Sequence, residues 1–261
     1  MSKPVELHYR EQGSGTPLLI LHGLFGSSAN WGRLATRLAE DYRVIVADLR
    51  NHGRSPHDAD MSYPDLAADV DALMDRLDVS SATVLGHSMG GKTAMTLALQ
   101  QPDRIERLII ADIAPVPYHG DSHEGLIDAL SGLDLASIGS RRDAFDALEP
   151  AIPEAGVRQF LLTNLEQGPD GWSWRVPLQY LRDNLAVVRD FPDFTSSFGQ
   201  PTLFLHGGDS DYVLPEHHSA IRKLFPKSTI VGLKGCGHWL HVDDPDGFHA
   251  AVKQFLIKRE T

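Results

Sequence analysis

Nearly continuous apolar runs of five to eight residues alternate with segments whose apolar positions recur at helical spacing through the first 113 residues. VELHYRE reads as a first strand, and PLLILHG (17–23) and YRVIVADL (42–49) read as strands buried on both faces. ATVLG (82–86) and IERLIIAD (105–112) complete this set, with helical patterns between them over 28–40, 64–77 and 90–101. Asn30 and Pro64 lie near plausible helix starts. This β-α-β-α order predicts an α/β fold, a mostly parallel sheet with helices on both faces.

The rhythm changes after Pro115. Up to Gln200 no strand stands out, and SHEGLIDALSGLDLASIG, RRDAFDALEP and AGVRQFLLTNLEQG read helical. GPDGWSWRVP interrupts them with turn residues and two tryptophans. Alternation resumes at PTLFLHGGD (201–209), followed by a helix near 216–225, a strand near 228–233 and a final helix over 245–258. The expected organisation is a core of residues 1–114 and 201–261 carrying a helical insertion, 115–200, between two strands of one sheet.

Composition narrows the function classes. A hydrophobic fraction of 42% with 23% charged residues suits a water-soluble domain with a sizeable core. The net charge of −11 argues against a nucleic-acid partner, because phosphate binding requires a basic surface. The single cysteine, Cys236, permits no intrachain disulfide, and its place between two glycines suits a tight turn better than a thiol nucleophile. The N-terminal stretch lacks the apolar region of a secretory signal, and no run approaches the ~20 apolar residues of a membrane span. A cytoplasmic protein, monomeric or homodimeric, without membrane insertion, is the expectation.

In open α/β sheets ligands bind beyond the carboxyl ends of the strands. The residues there are His22-Gly23-Leu24, Asp48, Ser88, Asp112 and Asp209-Ser210-Asp211, with His238 after the last strand. Gly86-His87-Ser88-Met89-Gly90 fits G-x-S-x-G between a strand and a helix, the setting of a nucleophile elbow. The helix that follows would point its first amides at the hydroxyl, where negative charge develops in acyl transfer. A serine hydroxyl needs a base. His238, flanked by glycines late in the chain, is the candidate, in the order Ser…Asp…His of this fold type. Two aspartates compete for the acid: Asp211, after the strand that follows the insertion, and Asp112, which ends the preceding strand. Asp209 reads as a turn residue. The backbone N–H groups of Leu24 and Met89 are placed to hold an oxyanion, and His22 to support its loop.

HGLFGS, DLRNHGRS, GHSMGGK, DIAPV, GGDSDYV and GCGHW occur in the order found in α/β-hydrolases, and together the set most resembles the small bacterial acyl esterases of the YbfF type. The resemblance spans essentially the whole chain and is weakest in the insertion. It implies an α/β-hydrolase fold with a helical cap, no cofactor, and hydrolysis of a small-molecule acyl ester through an acyl-enzyme. It also implies that Asp112 is the acid and that Ser210 assists His238, with Asp211 the alternative acid. Asp48, Arg50 and Arg54 are expected to shape a turn. Phe25, Trp172, Trp174, Tyr180 and Trp239 are candidates to line the substrate site; for the insertion's aromatics, including Phe160, a small core of their own is the competing expectation. Tyr118 and His119 are undecided in the same way. The histidines show no metal-ligand spacing, and no metal site is expected.

Overall fold

The computed structural model describes residues 2–119 and 122–257. The chain runs β1 (Tyr9–Gln12), β2 (Pro17–Leu21), α1 (Gly32–Leu38), β3 (Arg43–Ala47), α2 (Tyr63–Arg76), β4 (Ala82–His87), α3 (Met89–Gln100) and β5 (Ile105–Ala111). The insertion holds α4 (Ser122–Ser131), α5 (Arg141–Ala147), α6 (Ala155–Leu161), β6 (Leu165–Gly168), β7 (Gly171–Trp174), α7 (Leu178–Asp183) and α8 (Leu185–Arg189). Then come β8 (Thr202–Gly207), α9 (His218–Leu224), β9 (Ser228–Leu233), α10 (Leu240–Asp243) and α11 (Pro245–Ile257). The expected last residue of the final helix, 258, lies outside the described residues.

Seven strands form one sheet in the order β1-β3-β2-β4-β5-β8-β9, all parallel except β1 against β3. Successive residues point to opposite faces, and both faces are covered. Leu19, Leu21, Ile45, Val84, Leu108 and Ile110 pack on one side with α2, α3 and the insertion. Leu18, Ile20, Val44, Val46, Leu85 and Ile109 pack on the other with Trp31, Leu38, Phe248 and Val252. The near-continuous apolar runs therefore reflect burial on both faces, not a helical stripe.

Local chemistry sets the helix starts. Asn30 Oδ1 accepts from the Ser27 amide at 2.7 Å, and Ser62 caps α2 by accepting from Asp65 N, with Pro64 in the first turn.

The expectation that the insertion holds no strand is corrected: β6 and β7 pair antiparallel, with Leu165 opposite Trp174 and Gln167 opposite Trp172. The tail of AGVRQFLLTNLEQG is strand, and its helix α6 ends at Leu161. Gly171 turns the hairpin at φ +106°, a conformation that favours glycine. Period-2 tryptophans after Pro-Asp-Gly were the available signal.

Polar contacts fasten the insertion to the sheet domain. Tyr63 Oη donates to Val188 O at 2.6 Å and Asn184 Nδ2 to Ala59 O at 2.8 Å. Lys92 Nζ donates to Arg189 O and Asp190 O, each at 2.7 Å.

Candidate active site

The site is assembled at the carboxyl ends of β2, β4, β5 and β8. Ser88 follows β4 directly, at φ 52° and ψ −119°, and opens α3. A non-glycine residue at positive φ is strained and persists only where its surroundings fix it. Here its amide donates to Ala111 O at 3.0 Å, and its carbonyl accepts from Lys92 N at 3.0 Å. The flanking glycines serve close approach: a Cβ on Gly86 would lie 2.3 Å from Gly90 O, and one on Gly90 would lie 2.4 Å from Leu21 O. Only hydrogen at those two positions lets α3 start against β4 and β2.

Asp112 ends β5, also at positive φ (50°), and is fully buried. Its Oδ1 accepts from Gly207 N at 2.9 Å, while Oδ2 accepts from Ser210 Oγ at 2.5 Å and meets His238 Nδ1 at 2.7 Å. A carboxylate can only accept, so Nδ1 of His238 carries the proton and Nε2 is left as the basic nitrogen. Asp211 makes no such contact; it is exposed and lines a neighbouring lobe of the cavity. Among the described residues no hydrogen bond joins Ser88 Oγ to His238, although both line one cavity. Catalytic hydrogen bonds are often long in unliganded enzymes.

Two further histidines hold the loops around this pair. His87 Nε2 lies 2.9 Å from the carbonyl oxygen of His238; a carbonyl only accepts, so His87 is the donor and holds the His238 loop. Burial pushes the His87 pKa well below its usual value, with His238 and His241 adding to the effect. His22 Nε2 accepts from Leu49 N at 2.9 Å, which places its proton on Nδ1, donating to Gly23 O at 2.8 Å. Burial lowers the His22 pKa as well, so the ring stays neutral. His22 thus ties the loop after β2 to the loop after β3. His87 carried no signal beyond its place inside the elbow motif.

The loop after β2 brings Gly23 against the elbow: a Cβ there would lie 2.9 Å from His87 Nδ1 and 3.2 Å from Ser88 Cβ. Leu24 and Met89 line the same cavity as Ser88, and Phe25 sits at φ 62° with its carbonyl held by Asn164 Nδ2 at 2.8 Å. Asn164, from the insertion, was not singled out in the sequence. One asparagine between an apparent helix and a turn gives no pattern to find it by.

The cavity at Ser88 has two lobes, with Leu24, Ser88, His123 and Tyr212 bordering both. The first, about 360 Å³, is lined by Tyr63, Lys92, Tyr118, His119, Arg189 and Asp211 besides the shared residues. The second, about 280 Å³, is lined by Phe25, Leu126, Val157, Phe160, Leu161 and Trp239. Tyr212 stacks on the His238 ring with centroids 4.1 Å apart, and Phe160 packs against Trp239.

Three expected lining residues lie elsewhere. Trp174 donates from Nε1 to Leu130 O, Trp172 packs beneath Arg141, and Tyr180 is exposed. For the two tryptophans the hairpin is the reason, since its alternating side chains serve the insertion's own packing, the competing expectation; Tyr180 lies on α7. Phe160, Tyr118 and His119, left undecided by the sequence, line the cavity. Asp48 accepts from the amides of Ser28 and Arg54 and from His8, and Arg50 pairs with Asp69, so both support loops outside the cavity. Cys236 is buried in the core.

This fold and site define the class, and the chain belongs to the α/β-hydrolase family: residues 16–135 match the α/β-hydrolase fold. It is 42% identical over 264 residues to the sn-1-specific diacylglycerol lipase ABHD11 of Mus musculus, covering 97% of this chain and 86% of that protein. It is 35% identical to esterase YbfF of Escherichia coli K12, covering 95% of both chains. A marine microorganism esterase of known structure superposes with a TM-score of 0.94 at 37% identity, over 96% of this chain and 99% of its own. Among the described residues no helix is long and apolar enough to cross a membrane.

Proposed function

We propose that this chain is a serine hydrolase of small carboxylic esters, with Ser88 as nucleophile, His238 as general base and acid, and Asp112 as the acid that orients it. The single observation that carries the reading is the 2.7 Å contact of His238 Nδ1 with Asp112 Oδ2, on a histidine that shares its cavity with the strained Ser88.

With Nδ1–H committed to Asp112, Nε2 of His238 takes the Ser88 proton as Oγ attacks the acyl carbon. The carbonyl π electrons move onto oxygen, where the amides of Leu24 and Met89 offer two donors and the α3 N-terminus adds its positive end. The tetrahedral species collapses with cleavage of the ester C–O bond, and His238 passes its proton to the departing alkoxide. A water then loses a proton to Nε2, attacks the acyl-enzyme and releases the acid, returning the proton to Ser88. Every proton and electron pair is accounted for by side chains and water, so the reaction needs no cofactor. Asp112 stabilises the imidazolium in both halves, and Ser210, donating to the same Oδ2, fixes that carboxylate in place.

The insertion is read as a cap over the cavity, with Phe160 and Leu161 forming an apolar wall for a short- to medium-chain acyl group. The named activities of the relatives, an esterase and a diacylglycerol lipase, support ester hydrolysis. Turnover of p-nitrophenyl butyrate tests the reading. Ser88→Ala is expected to abolish it and to remove labelling by a fluorophosphonate, with an unchanged circular dichroism spectrum. Full turnover in that variant overturns the assignment.

A further inference from the structure

A residue that borders the first lobe of the cavity carries an unused hydrogen-bonding edge. Arg189, at the end of α8, lines this lobe, and its Nη1 donates to Glu124 Oε1 at 3.1 Å. Its Nε and Nη2 are buried and have no hydrogen-bond partner among the described residues. Those two nitrogens form one side of the guanidinium, with parallel N–H bonds spaced for the two oxygens of a carboxylate. The same molecule shows that edge in use: Arg50 donates from Nε and Nη2 to the two oxygens of Asp69, at 2.6 and 2.8 Å.

A buried donor left unpaired is costly, and more so when it is charged, so an unpaired edge on a residue of this lobe calls for a partner. Arg189 and Lys92 are the two basic side chains of this lobe. Lys92 lines the same lobe, and its Nζ spends two of three N–H bonds on the carbonyls of Arg189 and Asp190. Asp211 is the one carboxylate among the lining residues of this lobe, and it is exposed. The second lobe, with Phe160, Leu161, Leu126 and Trp239, presents no Lys or Arg, and its one carboxylate is the exposed Glu154. Two lobes of such different chemistry meeting at Ser88 suit a substrate that is apolar at one end and acidic at the other.

We propose that Arg189, supported by Lys92, forms a carboxylate-binding subsite, and that the preferred substrates are esters whose acyl or alcohol part ends in a free carboxylate. The proposal rests on the esterase reading and names the substrate class of that same site.

The test compares two p-nitrophenyl esters of matched shape, the mono-ester of glutaric acid and the ester of 5-methylhexanoic acid, each corrected for spontaneous release. The wild-type protein is expected to favour the acidic ester by about tenfold or more in kcat/KM. Arg189→Gln is expected to lower that preference at least about tenfold, chiefly through KM, and Arg189→Lys to restore only part of it. Free glutarate is expected to inhibit hydrolysis of the neutral ester competitively, with an inhibition constant raised about tenfold in Arg189→Gln. An equal preference in wild type and Arg189→Gln, or a wild type that favours the neutral ester and is not inhibited by glutarate, overturns the subsite. Calorimetric titration of the Ser88→Ala protein with glutarate keeps the two readings separable. Binding there, weakened by adding Arg189→Gln, supports the subsite whatever the outcome for the nucleophile, and absence of binding counts against it.

Discussion

The side-chain amide of Asn164 donates to the backbone carbonyl of Phe25 at 2.8 Å, and both residues are 2% exposed. The contact joins the insertion to the loop that carries the Leu24 amide, so it couples the upper layer of the molecule to the proposed oxyanion site. Asn164 acts through Phe25 and is a positioning residue.

Asn164→Leu leaves the Phe25 carbonyl buried without its partner, a loss of about 1–3 kcal/mol. The expected kinetic outcome is a fall in kcat of about tenfold or more with a smaller change in KM, since a displaced oxyanion donor weakens the transition state more than the bound ester. Steady-state kinetics on a neutral p-nitrophenyl ester, beside a thermal melt, checks both parts.

The two aspartates separate cleanly. Asp112 is buried against His238, whereas Asp211 is exposed and outside that hydrogen-bond set. Asp112→Asn is expected to lower kcat by about 10⁴, the scale of losing the orienting carboxylate of a triad. Asp211→Asn is expected to stay within about threefold on a neutral ester. Ser210→Ala, which removes the 2.5 Å donor to Asp112 Oδ2, is expected to lie between them. Parallel kcat measurements on the three variants decide the order, and a larger loss for Asp211→Asn would reverse the assignment.

Buried neutral histidines make the fold sensitive to acid. Burial lowers the pKa of His52 to about 3, helped by His22, and that of His241 to about 3, helped by His238. Between the unfolded value near ~6.5 and about 3, the unfolded chain binds more protons than the native one, so stability falls as pH falls through this window. Each such histidine contributes a slope of up to about 1.4 kcal/mol per pH unit. Melting temperature is therefore expected to drop steadily from pH 6 to 4. His241→Phe, which keeps a ring against Trp31, is expected to make that drop shallower.

Glycine at the elbow is a packing requirement with a built-in control. A Cβ on Gly90 would meet Leu21 O at 2.4 Å and His22 O at 2.5 Å, both backbone atoms that cannot rotate away. Gly90→Ala is expected to cost about 1–3 kcal/mol or more through forced displacement of α3, seen as a melting temperature lowered by several degrees. Gly32 has open space around its Cβ position at helical φ and ψ, so Gly32→Ala is expected to hold or raise the melting temperature.

Much of the architecture was legible because both of its periodicities are strong. Strands β2 to β5 and β8 are apolar on both faces, which left runs no amphipathic helix would show, and the loops that follow them carried the chemistry. Where the pattern is weak, residue order misleads. The hairpin β6–β7 is four residues a side on the surface of the insertion, with too short an alternation to outweigh the helical context before it. Trp172, Trp174 and Tyr180 were expected at the cavity because large aromatics suit both pockets and packing, and residue type cannot choose between them.

By itself the sequence determined the strand order in the chain, the elbow at Ser88 between glycines, and the short list of residues at strand ends from which a site could be built. Those are local matters, governed by spacing, steric size and the position of a turn. Only the tertiary structure decided which aspartate meets His238, because residues 112 and 238 are brought together through the pairing of β5 with β8 and of β8 with β9, not through the chain between them. It alone brought Asn164 to Phe25, His87 to the His238 carbonyl, and Arg189 to the lobe beside Ser88. A hydrogen bond selects by angle and distance within a few tenths of an ångström, and the pattern of residue types along a chain does not encode that.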